Sequence, residues 1–276
     1  MALKSNLLVA LALTILVALT WPLRLFDPDV SACKDTKAFS SVDTGSRQEN
    51  ASNQKASAVR IEACTRAIHS TGWHYDNLSW AYANRGDAYR TKGETDLALA
   101  DYDQSIRLEP NRSITFHNRG LAWQAKGDLD HAIADYSRAI GKWHLRKASD
   151  RSDYLSHRAV AYKQRGDLAL ALSDYNAAIR LASHDSDLYY HRGQLFKTTN
   201  DLDRAIADYT HAIAEFDVSE HSLTDKRDYL TGRGEAYRAK GESRLALADF
   251  EQVTAIDATL ARAVSVRTRV AGVVRR

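Results

Sequence analysis

The sequence predicts an all-α fold, a right-handed solenoid of helical hairpins, and three observations predict it. The stretch Asn84 to Pro110 returns in close copies four more times before the C-terminus, at a period near 34 residues. Each copy pairs two amphipathic segments around a glycine or asparagine. Small residues recur in the same two columns of every copy, where antiparallel helices approach most closely. Self-similarity at such a period marks a quasi-one-dimensional stack, in which each repeat buries its apolar face against its neighbours. The composition agrees: of 276 residues, 44% are hydrophobic and 26% charged, with three prolines, as suits an ordered chain. The net charge of +3 gives no reason to expect nucleic acid, which calls for Lys and Arg clustered on one face.

Met1 to Trp21 has one lysine and then an apolar run from Leu7 to Trp21, the n-region and h-region of an export signal. The run is shorter than the roughly 20 residues of a spanning helix. Residues 1–32 therefore read as a cleaved or lipid-processed signal, with a retained membrane anchor as the alternative. Val30-Ser31-Ala32 before Cys33 suits a signal peptidase and loosely resembles a lipoprotein box, although Arg24, Asp27 and Asp29 separate it from the apolar run. Each version places the remainder outside the cytoplasm, periplasmic or anchored to the inner membrane. Thiols oxidise there, and the exported chain has two cysteines, Cys33 and Cys64. A bridge between them is the expectation; the competing reading makes Cys64 a small buried apolar residue.

Residues 33–57 are polar and without period, and read as a flexible tether. A half repeat follows at 58–71. Its segment Val59 to Ile68 matches the second helix of later repeats, with Cys64 where they carry Tyr or Phe. Five full repeats occupy 79–112, 113–146, 152–185, 186–219 and 227–260, with five extra residues after the second and seven after the fourth. Their eighth position is Gly86, Gly120, Ala159, Gly193 or Gly234, and their twentieth is Ala98, Ala132, Ala171, Ala205 or Ala246. Large residues fill the remaining core: Tyr89, Trp123, Tyr162, Phe196 and Tyr237 in first helices, Tyr102, Tyr136, Tyr175, Tyr209 and Phe250 in second helices. Gly93, Gly127, Gly166, Asn200 and Gly241 stand where the first helix must end in a left-handed residue. The acids after them, Glu94, Asp128, Asp167, Asp201 and Glu242, suit the N-terminus of the second helix. Ala261 to Arg276 interleaves valines with arginines and reads as a capping helix with a solvated outer face.

These columns resemble the tetratricopeptide repeat, in its exported bacterial form, where a C-x-x-A-I helix (here Cys64 to Ile68) precedes the first full repeat. The resemblance covers residues 58–260. A closing proline appears only as Pro110.

One pattern invites a mechanism: Arg85, Arg119, Arg158, Arg192 and Arg233 accompany Asp101, Asp135, Asp174, Asp208 and Asp249 in every repeat. A catalytic pair occurs once, so this one reads as ion pairs that fix the register of the helices. No histidine lies in an HExxH motif or beside a cysteine pair at zinc spacing. The pair Gly232 and Gly234 lacks the third glycine of a dinucleotide loop, and no Gly-x-Ser-x-Gly occurs. The sequence thus predicts no catalytic residue, no metal site and no cofactor.

The resemblance implies a groove lined by chosen positions of the first helices. Here these supply Trp80, Asp87 and Arg90; Ile114, His117 and Leu121; Lys163; Tyr190, Gln194 and Lys197; and Arg238. Some relatives grip a C-terminal carboxylate with lysines, asparagines and an arginine. The matching positions here are Ala83, Asp87, Asn118, Asp153 and His157, of which only Asn118 fits, so that clamp is not carried over. The expectation is a non-catalytic interaction scaffold of the cell envelope that takes a protein or peptide along its groove. The alternative is a self-associating or membrane-tethered structural module.

Overall fold

The computed structural model describes Cys33 and residues 47–70, 75–141, 148–217 and 222–274. The expected export signal and residues 34–46 of the expected tether lie outside them. Among the described residues there are eleven helices and no strand. They are α1 (Arg47–His69), α2 (Tyr75–Thr91), α3 (Thr95–Leu108), α4 (Ser113–Ala125), α5 (Leu129–Gly141), α6 (Ala148–Arg165), α7 (Leu168–Leu181), α8 (Ser186–Thr198), α9 (Leu202–Ala214), α10 (Leu223–Ala239) and α11 (Ser243–Val274).

The chain divides into two compact units, Met1–Lys142 and Trp143–Arg276. In the N-terminal unit α1 packs on α2, α2 pairs with α3 and α4 with α5, while α3 meets α4 and α2 touches α4. In the C-terminal unit the hairpins are α6–α7, α8–α9 and α10–α11; α7 meets α8, α9 meets α10, and α8 touches α10. In each unit, therefore, first helices line one side and second helices the other, as hairpins stacked in sequence order require.

The core is the pair of columns read from the sequence. Ala98, Ala132, Ala171, Ala205 and Ala246 are buried, and so are the rings of Tyr102, Tyr136, Tyr175 and Tyr209. The glycine column makes room for those rings: a Cβ on Gly120 would stand 2.7 Å from Tyr136 Cε1. At the hairpin turns Gly93, Gly127, Gly166 and Gly241 have φ between 80° and 95°, and Asn200 has φ 60°. The amide after each turn residue donates back to the carbonyl of the first helix's large aromatic, as Glu94 N–H does to Tyr89 O at 2.9 Å and Asp201 N–H to Phe196 O at 2.8 Å. This closes the helix end in a Schellman arrangement.

The acids after the turn behave differently from expectation. Among the described residues only Asp128 and Asp201 accept from an amide of the first turn, those of His131 and Arg204. Glu94 and Glu242 instead hold Lys92 at 2.7 Å and Lys240 at 2.8 Å, and Asp167 holds Arg165 at 2.5 Å. In these three repeats the basic residue two positions before the acid takes its carboxylate.

Three boundaries also move. Helix α1 starts at Arg47, so residues 47–57 of the expected tether are helical although they lack an apolar period. The extra residues after the second and fourth repeats lengthen the following first helices: α6 has 18 residues and α10 has 17, against 13 in α8. At α10 the Ser222 amide donates to Asp225 Oδ2 at 2.7 Å, which starts the helix ahead of the repeat boundary. Finally, the C-terminal capping helix expected at 261–276 is not a separate element, because α11 runs unbroken from Ser243 to Val274.

All five arginine–aspartate pairs form, and each is bidentate. Arg85 reaches Asp101 at 2.7 and 2.8 Å, Arg119 reaches Asp135 at 2.7 and 2.8 Å, and Arg158, Arg192 and Arg233 repeat the geometry. The fork has a further use. Nη1 of Arg85, Arg119, Arg192 and Arg233 reaches back to the preceding second helix, to Thr65, Asp103, Asn176 and Thr210. One guanidinium thus ties three helices, which a lysine's single ammonium would not do in that fixed geometry.

Candidate functional site

In each unit the candidate site is the face presented by the first helices, because the second helices spend their apolar side on the core. In the N-terminal unit its middle is a polar knot. Asp87 Oδ1 accepts from the Tyr102 hydroxyl at 2.6 Å and from Asn118 Nδ2 at 2.8 Å. Burial raises the Asp87 pKa against the opposing pull of Tyr102, Arg90, Asn118 and Arg60. Arg90 lies against the same knot, near both Tyr102 and Asp87, and its Nε is buried without a hydrogen-bond partner among the described residues. Ile114 and Leu121 are half-buried on α4. His117, expected on the groove surface, is buried: it is 8% exposed, its Nδ1 sits 3.2 Å from Asn118 Oδ1, and its ring is 5.7 Å from that of Tyr136. Trp80 packs on the buried cluster of Cys33, Ala63, Cys64 and Ala81.

Cys33 and Cys64 are joined as a disulfide, with Cα atoms 4.9 Å apart. Both are fully buried. Cys64 occupies the position that a tyrosine fills in the later repeats, so the bridge stands where a ring would have packed.

In the C-terminal unit the corresponding face centres on Tyr190. Tyr190 is half-buried, its ring 5.9 Å from Tyr209 and 5.1 Å from Tyr229. Burial raises its pKa, helped by the charges of Asp228, Glu235 and Asp187, while a hydrogen bond with Gln194 works the other way. Gln194 Oε1 also accepts from Lys163 Nζ at 3.2 Å. Lys197 Nζ pairs with Glu235 at 2.7 Å. Burial and the nearby charge of Lys197 lower the Lys163 pKa. Tyr190, Gln194, Lys163 and Lys197 are thus brought together, whereas Arg238 is exposed and lies 5.9 Å over the ring of Phe250.

Sequence reasoning assigned the second-helix tyrosines wholly to the core and missed the hydroxyls of Tyr102 and Tyr136, which bond first-helix side chains. Tyr102 bonds Asp87, and Tyr136 bonds Gln124 Oε1 at 2.7 Å. The signal present in the sequence was tyrosine, not phenylalanine, in four of five repeats. For Tyr209 a second clue was Gly232: a Cβ there would stand 2.8 Å from Tyr209 Cε1 and 3.2 Å from its hydroxyl.

Two family models match the chain, both described as the tetratricopeptide repeat, one over residues 79–112 and one over residues 156–220. The repeats are tetratricopeptide repeats. Neither match is to an enzyme family. A comparison with curated proteins returned no match. Among solved structures the chain is similar to MamA, with 23% identity and a TM-score of 0.55 over 64% of this chain and 96% of that one. It is also similar to BtubC (BKLC) from P. vanneervenii, with 18% identity and a TM-score of 0.65 over 79% of this chain and 93% of that one. A third is YrrB, described as a TPR protein with an unusual peptide-binding site, with 18% identity and a TM-score of 0.53 over 75% and 99%. These likenesses show a shared tetratricopeptide-repeat fold.

Proposed function

We propose that this chain is a protein-interaction scaffold of the cell envelope that takes a peptide or protein segment along the face of its first helices, without catalysis. The observation that carries the reading is a division of labour. Residues that recur in every repeat are buried or locked in ion pairs, whereas first-helix positions that vary from repeat to repeat are half-buried, and Tyr190, Gln194, Lys163 and Lys197 lie together among them. Specificity belongs to the second set. The Cys33–Cys64 bridge favours an exported location, since disulfides persist in oxidising compartments, and YrrB offers a precedent for peptide binding on this fold.

In such an interface buried aromatic anchors dominate the binding energy and rim charges tune rate and choice. Tyr190 is the anchor, with Ile114, Leu121 and Trp80 as lesser apolar contacts. Affinity capture from an envelope fraction with the purified protein and its Tyr190→Ala variant tests this. A specific partner should be lost with Tyr190→Ala and kept, weakened, with Arg238→Ala. Equal retention by both variants would move the site to an edge or to the second-helix face.

A further inference from the structure

Helix α1 stands in the array as a second helix whose own first helix is not among the described residues. Its register is fixed by Arg85, whose Nη1 reaches Thr65 as Arg119 Nη1 reaches Asp103 and Arg192 Nη1 reaches Asn176. In that register Arg60 falls in the column of Ala98, and Cys64 in the column of Tyr102. In the first full repeat these two positions lie against Gly86 of the same hairpin: a Cβ there would meet Tyr102 Cε1 at 2.8 Å and Ala98 O at 3.2 Å. The matching face of α1 is covered too. Ser57, Arg60, Ala63, Cys64 and Ala67, spaced as one stripe of a helix, are all buried. Cys33 is buried with them, its backbone helical and its sulfur bonded to Cys64. Cys33 therefore takes the place that glycine holds in the eighth position of a full repeat, opposite the large residue of the second helix.

A second sign comes from α2. Asn118 Nδ2 donates at 2.8 Å to Asp87 on the first helix before it. Asn84 has the same repeat position and is buried, but its Nδ2 has no partner among the described residues. A first helix ahead of α2 is the element that would run past it. The sequence around Cys33 has the chemistry of such a helix. Asp27-Pro28-Asp29 places a capping carboxylate, a proline suited to the first helical position and a second acid at one end, and Lys34 and Lys37 lie toward the other. Asp27 to Phe39 matches the 13 residues of α4 and α8. The cysteines are 31 residues apart, against sixteen between Gly86 and Tyr102, which leaves residues 40–46 as a connection to the start of α1.

We propose that the open edge of α1 and α2 is the docking surface for this chain's own residues 27–39, which form the missing first helix of the half repeat and are stapled there through Cys33. The half repeat is then a whole one with a long connection. The docking also decides how the N-terminus is matured. The Cys33 sulfur is spent on Cys64, so it cannot carry the thioether of a lipoprotein. A signal peptidase cutting between Ala32 and Cys33 would sever the docked helix at its middle, so any export cut falls before Asp27.

The test uses the full chain, expressed for export and purified without reductant. Intact mass and N-terminal sequencing should place the N-terminus at or before Asp27 with no lipid adduct; an N-terminus at Cys33, or a lipid mass on that residue, overturns the proposal. Hydrogen exchange should show the amides of residues 32–39 exchanging about a hundredfold or more slower than in a free peptide of the same sequence, and exchange at the free-peptide rate overturns it. A proline in the middle of the docked helix, Asp35→Pro, should lower protection in α1 and α2 by about tenfold or more, whereas Ser41→Pro in the connection should leave it level, with α8 to α11 as the internal reference. Equal effects of the two prolines, or none from Asp35→Pro, overturn it. Non-reducing mass analysis separates the remaining occupant: a Cys33–Cys64 link within one chain supports docking in cis, and a link joining two chains would put a second copy's segment on this edge and overturn it.

Discussion

Arg192 shows what a recurring residue does here. Its Nε and Nη2 grip Asp208 at 2.8 and 2.7 Å, and its Nη1 reaches Asn176 on the preceding second helix at 2.7 Å. The Asp208 side chain is 8% exposed, so removing the arginine leaves a buried carboxylate uncompensated. Arg192→Ala should cost about 3–5 kcal/mol in urea denaturation, and adding Asp208→Leu should recover much of it, because the pair's net worth is small while its broken half is costly. An unchanged denaturation midpoint in the single variant would remove the register role. Asp153 is a different case. Burial, then the charges of Asp185 and Asp150, push its pKa up to about 6, above its unfolded value near 3.9. Between those pH values the folded state holds more protons than the unfolded one. Stability from this group is therefore full below about pH 4 and is lost as pH rises through about 6. Asp153→Asn should melt higher than the parent at pH 7.5 and match it at pH 3.5; a difference that persists at the lower pH would refute the assignment.

At the scale of the hairpin, two opposing effects meet on one glycine. Gly120→Ala would gain about 1 kcal/mol of helix propensity, but the added methyl would stand 2.7 Å from the ring of Tyr136. That ring is fully buried, and its hydroxyl is bonded to Gln124. Overpacking of this kind costs about 1–3 kcal/mol, so the variant should be less stable by urea denaturation; a gain would mean that the ring shifts freely. The third repeat carries alanine in this column, Ala159, and its Tyr175 hydroxyl has no such bond among the described residues. The small and large columns, the left-handed turns and the arginine–aspartate pairs were all legible in the sequence because each recurs and each follows from local geometry. Helix starts were less so, since residues 47–57 and the added turns of α6 and α10 carry no apolar period; at α10 the start is set by the cap between Ser222 and Asp225. The groove was legible only in part. Its positions follow from the period, but the burial of His117 and the course of the Tyr209 hydroxyl past Gly232 depend on how neighbouring helices close around them.

Within each of the two units the contacts run between sequence neighbours, and a stack of that kind distributes stability as a sum of local terms. Its N-terminal end is exposed to fraying, since α1 supplies only half a repeat. The Cys33–Cys64 bridge lies at this end, fully buried with Ala63 and Ala81 and packed against Ile68 and Trp80. Cys64 takes the place of a core tyrosine, so the bridge both fills that place and ties down the incoming chain. Cross-linking across a separation of 31 residues stabilises a folded chain by about 2–4 kcal/mol. In a variant carrying Cys33→Ser and Cys64→Ser, hydrogen exchange should show protection falling by that amount in α1 and α2, less in α3, and not at all in α8 to α11. The gradient is the informative part. A uniform loss across every helix would mean that the array unfolds as one cooperative body, and an unchanged α1 would mean that packing against α2 suffices to hold the half repeat without the bridge.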